Sequence, residues 1–278
     1  MTFFEKTVAF LNSEMECPET FGVFHIASFL IMAVLTSAAV MYFRNKSERD
    51  ISRLALIAWI IILVFEVYKQ FVYTFEYEDG ELVREYSWYI FPFQFCSTPM
   101  YLLPLVAFLR EGRVRDSALF FLGSYGLFAG LAVMVYPGNV FTETIGVDIQ
   151  TMVHHGLQTA LGVLFAVRYM RYNTKRRFLF SSAVFGVVLF IAFMLNVTLY
   201  PYLISRGIDT SFNMFYISPY TDCNLPILSA LQPILPYPVF LAVYIVGFAS
   251  AAWITVSLVR GISYLAGGIY AEKKSKDQ

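Results

Sequence analysis

Five residues carry most of the chemistry this chain could perform inside its apolar stretches: Cys96, His154, His155, Glu66 and Lys69. A thiol is nucleophilic as the thiolate and needs a base beside it to become one. Imidazole is the natural base, because it takes and returns a proton near neutral pH. A cysteine and a histidine brought together would therefore suit nucleophilic catalysis. Glu66 and Lys69, three residues apart, read either as an intrahelical ion pair that lowers the cost of both charges or as a carboxylate that orients the histidine, the third member of a triad. Gln94, Gln158 and Asn196 are further strongly polar groups in apolar surroundings. They are candidates to stabilise an oxyanion or to hydrogen-bond between helices.

The elements that must position these residues are membrane spans. The chain has 278 residues, 58% of them hydrophobic and 14% charged, with a mean hydropathy of +0.61; an ordinary soluble domain carries about 25% charged residues. Runs such as FGVFHIASFLIMAVLTSAAVMYF and FLFSSAVFGVVLFIAFMLNVTLY hold no charged residue, and about 20 such residues suffice to cross a bilayer. The pattern predicts an all-α polytopic membrane protein with spans at 22–43, 54–75, 88–109, 117–136, 148–169, 178–203 and 236–259.

Charge sets the direction. Sixteen of the 20 basic residues fall in alternate connections: Arg44 to Arg53, Arg110 to Arg115, Arg168 to Arg177, and Arg260 onward. Lysine and arginine gather on the cytoplasmic side, which predicts an outer N-terminus and a cytoplasmic C-terminus, as an odd number of spans requires. Residues 1–21 are acidic and carry no basic flank, so they read as an outer interfacial segment and not as a signal peptide. The segment 204–235 is too long for an ordinary connection and reads as a cap over the outer mouth; 261–278 reads as a cytoplasmic tail. The whole is one seven-helix domain. Net charge is zero, so nucleic acid is not an expected partner; membrane lipids are, and the oligomeric state is not read from the sequence.

With that direction the polar groups share a level. Glu66 and Lys69, Gln94 and Cys96, His154 with His155 and Gln158, and Asn196 all fall roughly 10 Å below the outer surface, at about 1.5 Å per residue. Glu66, Lys69, Gln70 and Tyr73 share one helical face, as do Thr151, His155, Gln158 and Gly162. On a straight helix Cys96 would point away from the face that carries Gln94, Ser97, Thr98 and Tyr101, but Pro92 and Pro99 can bend or unwind that helix. His25 reads by pattern as a capping or interfacial residue. Gly126-x-x-x-Gly130 and Gly247-x-x-x-Ala251 read as close helix contacts. Cys17 and Cys223 fall on the outer side and are a candidate disulfide pair.

Several classes are set aside. Residues 236–259 contain no lysine for a retinal Schiff base. His154 and His155 point about 100° apart on a helix and leave only His25, a poor basis for a three-histidine metal site, so no metal and no cofactor is expected. A solute or proton-coupled transporter or sensor built on the same polar layer is the alternative to an enzyme, and interhelical glue in a structural subunit is the plainest one.

The pieces FGVFHIASFL around His25, FPFQFCSTPMYLLPL around Cys96, MVHHGLQTALG around His154 and His155, and FNMFYISP with LQPILPYPVF further on resemble the YwaF-like bacterial integral membrane proteins. These are related to the animal transmembrane acyltransferase that remodels ether phospholipids, and more distantly to the androgen-induced-gene type lipid hydrolases, which use Thr and His. The resemblance implies a cysteine nucleophile at Cys96 and a histidine, His155, with His154 beside it. It also implies lipid acyl esters as substrates, cleaved by transfer or hydrolysis. His25 and Asn213, which lie inside matching pieces, join the supporting set.

Overall fold

The computed structural model describes residues 1–78, 80–172, 174–208 and 211–276, with residues from 266 onward as backbone alone. The basic tail residues Lys273, Lys274 and Lys276 therefore lie outside the described side chains. The chain is predominantly helical. A short α1 (Phe3–Leu11) starts on a capping box in which Thr2 accepts from Glu5 N–H and Glu5 accepts in return. It is followed by α2 (Val23–Phe43), then α3 (Glu48–Val72), which opens on a second capping box between Ser47 and Asp50. An antiparallel hairpin, β1 (Phe75–Glu78) and β2 (Glu81–Arg84), pairs Phe75 with Arg84 and leads into a broken stretch and α4 (Thr98–Phe108). Helices α5 (Arg113–Phe121) and α6 (Leu127–Val135) join through a π turn at Leu122–Gly126; α7 (Ile145–Tyr169), α8 (Thr174–Ser205), the short α9 (Leu228–Leu231) and α10 (Tyr237–Lys276) complete the chain.

Among the described residues, five helical segments are long and apolar enough to cross a membrane: Val23–Phe43, Glu48–Val72, Arg113–Val135, Thr174–Ser205 and Tyr237–Leu265. Two of the expected spans differ from these, each for a physical reason. Helix α7 has the length but carries Asp148, Gln150, Thr151, His154, His155, Gln158 and Thr159, all buried, and the other helices surround it. A helix this polar is tolerable at membrane depth only inside protein. The span expected at 88–109 is α-helical only in its C-terminal half, Thr98–Phe108. Pro92 lacks an N–H and biases Phe91 to extended backbone, so the chain advances through one-turn 3₁₀ pieces at Trp88–Ile90 and Phe95–Ser97. Cys96 thus precedes the α-helix, and the straight-helix face on which it pointed away does not exist.

The connection 204–235 packs into the helices. Phe212, Met214, Phe215, Ile217 and Ser218 are at most 1% exposed, and Phe215 stacks on Phe93 at 5.9 Å. This non-helical segment is inserted among the helices. Cys17 is exposed, Cys223 is buried, and both are free.

At the N-terminal end of α3, Glu48 ties three elements together. Its carboxylate accepts from Arg115 at 2.9 Å, from Arg168 at 2.7 Å and from Tyr169 at 2.7 Å, while Arg168 also donates to the carbonyls of Phe43 and Arg44 at the end of α2. Arg168 so satisfies orphan carbonyls of a helix terminus and completes the α2–α3 turn.

Of the small-residue motifs, only one makes the expected contact. A Cβ on Gly130 would lie 2.8 Å from Thr159 Oγ1 and 2.9 Å from the His155 carbonyl, and one on Gly162 would lie 2.8 Å from Leu127 Cα, so α6 and α7 touch at the backbone. Gly247 has nothing within 4 Å, and its motif makes no such contact. Gly130→Ala is expected to cost about 1–3 kcal/mol by overpacking, and Gly247→Ala close to nothing. Thermal unfolding in detergent should show a lowered midpoint for the first variant alone.

Candidate functional site

The break in the third apolar stretch exposes backbone groups at depth, and the site is the set of side chains that satisfy them. The carbonyl of Cys96 accepts from His154 Nε2 at 2.9 Å, joining residues 58 apart in sequence. A carbonyl only accepts, so His154 holds its proton on Nε2, and its Nδ1 is a bare lone pair with no partner among the described residues. His155 Nδ1 donates to the Thr151 carbonyl one turn earlier at 2.8 Å, which leaves its Nε2 as the acceptor. The two rings lie 5.3 Å apart between centroids. Among the described residues no hydrogen bond joins Cys96 Sγ to either ring; Ser97 lies beside the sulfur.

Glu66 and Lys69 are an ion pair at 2.9 Å, one helical turn apart. Glu66 also accepts from Gln70 at 2.7 Å; Gln70 donates to the Ile90 carbonyl at 3.1 Å and accepts from Tyr86 at 2.7 Å. This pair lies within electrostatic reach of Cys96 and His154, and Lys69 within reach of His155. The histidine-orienting group is the Thr151 carbonyl, not Glu66 as the triad reading had it.

Gln94, Asn196 and Asn213 turn out to hold the inserted outer segment. Asn196, fully buried, donates to the Met214 carbonyl at 2.9 Å and accepts from its N–H at 2.7 Å. Gln94 donates to the Asn213 carbonyl and accepts from Phe215 N–H, both at 3.0 Å. Asn213 donates to the Asp222 carbonyl at 3.0 Å and accepts from Ser218 N–H at 2.8 Å. These amides pay for an unusual backbone: Phe215 and Tyr216 take φ of 59° and 56°, a left-handed conformation costing a side-chain-bearing residue about 1–2 kcal/mol each. Each amide commits its oxygen and one N–H to this backbone.

His25 stands apart from this cluster. Its Nδ1 accepts from Phe21 N–H at 3.0 Å and its Nε2 donates to the Met134 carbonyl at 2.9 Å, so it caps α2 and ties it to α6. Gln158 is 2% exposed and neither its oxygen nor its nitrogen finds a partner among the described residues. It stands one turn below His154, and a buried amide in this state asks for a polar ligand or water.

Asp148 was not singled out from the sequence. It is fully buried; Oδ1 accepts from Thr142 N–H at 2.9 Å and Oδ2 has no partner among the described residues. Its spacing from Thr151 and His155, three and seven residues, was the available signal. The two left-handed residues had no signal, since neither is Gly, Asn or Asp.

Asn196→Leu would leave the Met214 N–H and carbonyl buried without partners, at about 1–3 kcal/mol each. The variant is expected to show a lowered unfolding midpoint and faster proteolysis within 211–218, read by peptide mass mapping.

The model of the TMEM164 family matches residues 20–258, from the start of the first long helix to near the end of the last apolar one. No curated protein and no solved structure matches the chain. With most of its length matched, and with five helices long and apolar enough to cross a bilayer, this chain is a multi-pass membrane protein that belongs to the TMEM164 family.

Proposed function

We propose that the chain is a Cys–His acyltransferase of the cell membrane, acting on lipid acyl esters of the outer leaflet through a thioester on Cys96. The observation that carries this reading is the bond from His154 to the backbone of Cys96. It brings the imidazole pair and the thiol to one place, at the level where a glycerolipid ester meets the headgroups. The accompanying topology is seven crossings, with α4 and its 3₁₀ lead-in as a shortened third and α7 as the fifth, the N-terminus outside and the C-terminus cytoplasmic. Its support is the alternation of basic connections. Kinship to the YwaF-like proteins belongs to the same proposal.

In this mechanism His155 Nε2 takes the thiol proton while sulfur attacks the acyl carbonyl carbon. The tetrahedral oxyanion is met by Lys69 and by the N–H groups of Phe95 and Cys96, which precede the first hydrogen bond of the 3₁₀ turn. The ester C–O bond breaks, and the leaving alcohol takes the proton back from His155. An acceptor hydroxyl then attacks the thioester, His155 takes its proton, and the thiol is restored. A lysolipid acceptor makes the reaction a transacylation; water makes it hydrolysis. His154 positions the nucleophile by holding the Cys96 carbonyl, and Glu66 keeps Lys69 in place.

The transporter or sensor reading draws its support from the unpartnered Gln158 and His154 Nδ1, which suit a polar solute as well as a substrate. Cys96 separates the two. In nanodiscs holding a diacyl phospholipid with a labelled acyl chain and a lysolipid acceptor, the wild type is expected to move the label. Cys96→Ala should abolish transfer, and His155→Ala should lower its rate about 10²–10⁴-fold with an unchanged unfolding midpoint. His154→Ala should lower both rate and midpoint, because it strands a buried carbonyl. Full transfer by a folded Cys96→Ala protein would overturn the proposal.

A further inference from the structure

A pocket of about 470 Å³ opens beside the thiol, on the outer side. Gln94, two residues before Cys96, lines its floor together with Asn213, and Tyr89, Tyr216, Tyr220 and Asp222 stand among its walls. The volume is that of a small-molecule site. Among the described residues that line it the one charge is the carboxylate of Asp222, which is exposed and forms no ion pair.

The chemistry of the lining selects among ligands. A phosphate or carboxylate would meet Asp222 with no cation to compensate it. A sugar or polyol could hydrogen-bond to Ser211, Thr221 and Asn224, which also line the pocket, but it would gain nothing from the Asp222 charge. The three tyrosine rings and that carboxylate together favour a cation. The rings are held in place: Tyr220 stacks on Tyr200 at 5.2 Å, Tyr89 meets Tyr73 edge-on at 5.6 Å, and Tyr216 sits on a left-handed backbone fixed by its neighbours. Ring faces attract cations through their quadrupole, and a carboxylate adds to that attraction.

We infer that this pocket binds an organic ammonium group, with Tyr216, Tyr220 and Tyr89 as the aromatic walls and Asp222 as the counter-charge. The inference rests on the acyl-transfer reading only for its purpose: an ammonium held there would belong to a lipid headgroup whose ester lies at Cys96, or to a soluble amine.

The test is calorimetric titration of the Cys96→Ala protein, so that binding is read apart from any turnover. In an uncharged detergent, tetramethylammonium is expected to bind at least about tenfold more tightly than tert-butanol, its neutral counterpart of similar size, and inorganic phosphate not to bind. Asp222→Asn should weaken tetramethylammonium binding about tenfold or more; its side chain holds no other described residue, so the fold is kept. Tyr220→Leu should weaken it more than Tyr220→Phe. Nanodiscs of a trimethylammonium-headgroup lipid that suppress the binding, where glycerol-headgroup nanodiscs do not, would assign the ligand to the membrane; equal binding in both would assign it to a soluble amine. Equal affinity for tert-butanol, binding of phosphate, or an unaffected Asp222→Asn protein would overturn the inference. Ammonium binding without any acyl transfer by the wild type would leave the pocket standing and remove the enzyme.

Discussion

A backbone that leaves the helix at membrane depth must find partners for its amide groups inside the protein, because the hydrocarbon supplies none. Pro92 imposes that situation on residues 91–97, and much of the surrounding fold answers it. His154 takes the Cys96 carbonyl, the Tyr101 hydroxyl takes the Pro92 carbonyl at 2.5 Å, Gln70 takes the Ile90 carbonyl, and Gln94 pairs with the backbone of the inserted segment. The inserted segment is itself non-helical and is held by Asn196. Two irregular stretches are thus locked to each other and to α7 and α8, and the thiol sits where they meet.

The same constraint explains the centre of the molecule. Helix α7 is too polar to face lipid, so α2, α3, α5, α6 and α10 gather around it. Backbone contact at Gly130 and Gly162 brings α6 against it directly. The Glu48, Arg115 and Arg168 cluster fixes the ends of α2, α3, α5 and α7 without any unpartnered group in the carboxylate. Buried polar atoms without a partner among the described residues include Thr36 Oγ1 on α2 and Arg260 Nε on α10, but three such residues, Asp148, His154 and Gln158, fall on α7 alone. That buried helix is where polar capacity is left for a ligand or water.

Much of this was legible in the sequence, and the limits have physical causes. Apolar runs gave the membrane helices because their length and composition are set by the bilayer. The sequence put Cys96 beside the histidines as a thiol, whereas the bond that joins Cys96 to His154 runs through its backbone carbonyl, which no side-chain pattern announces. The partners of Gln94 and Asn196 were not legible, because an amide in a span satisfies a helix, a loop or a ligand equally well, and here the loop is 18 residues away from Asn196 in the chain. Pro92 and Pro99 announced a disruption without saying on which side of Cys96 the helix would resume. Gly247 matched the small-residue pattern as well as Gly130 did, yet spacing alone does not show which helix face meets a neighbour.

The central claim is that Cys96 carries an acyl group. Purified protein in detergent would be incubated with an activated acyl ester and its peptides weighed, with and without hydroxylamine. The account predicts one added acyl mass on the Cys96 peptide, removed by hydroxylamine and missing from His155→Ala. A folded wild-type protein whose Cys96 peptide stays unmodified would contradict it.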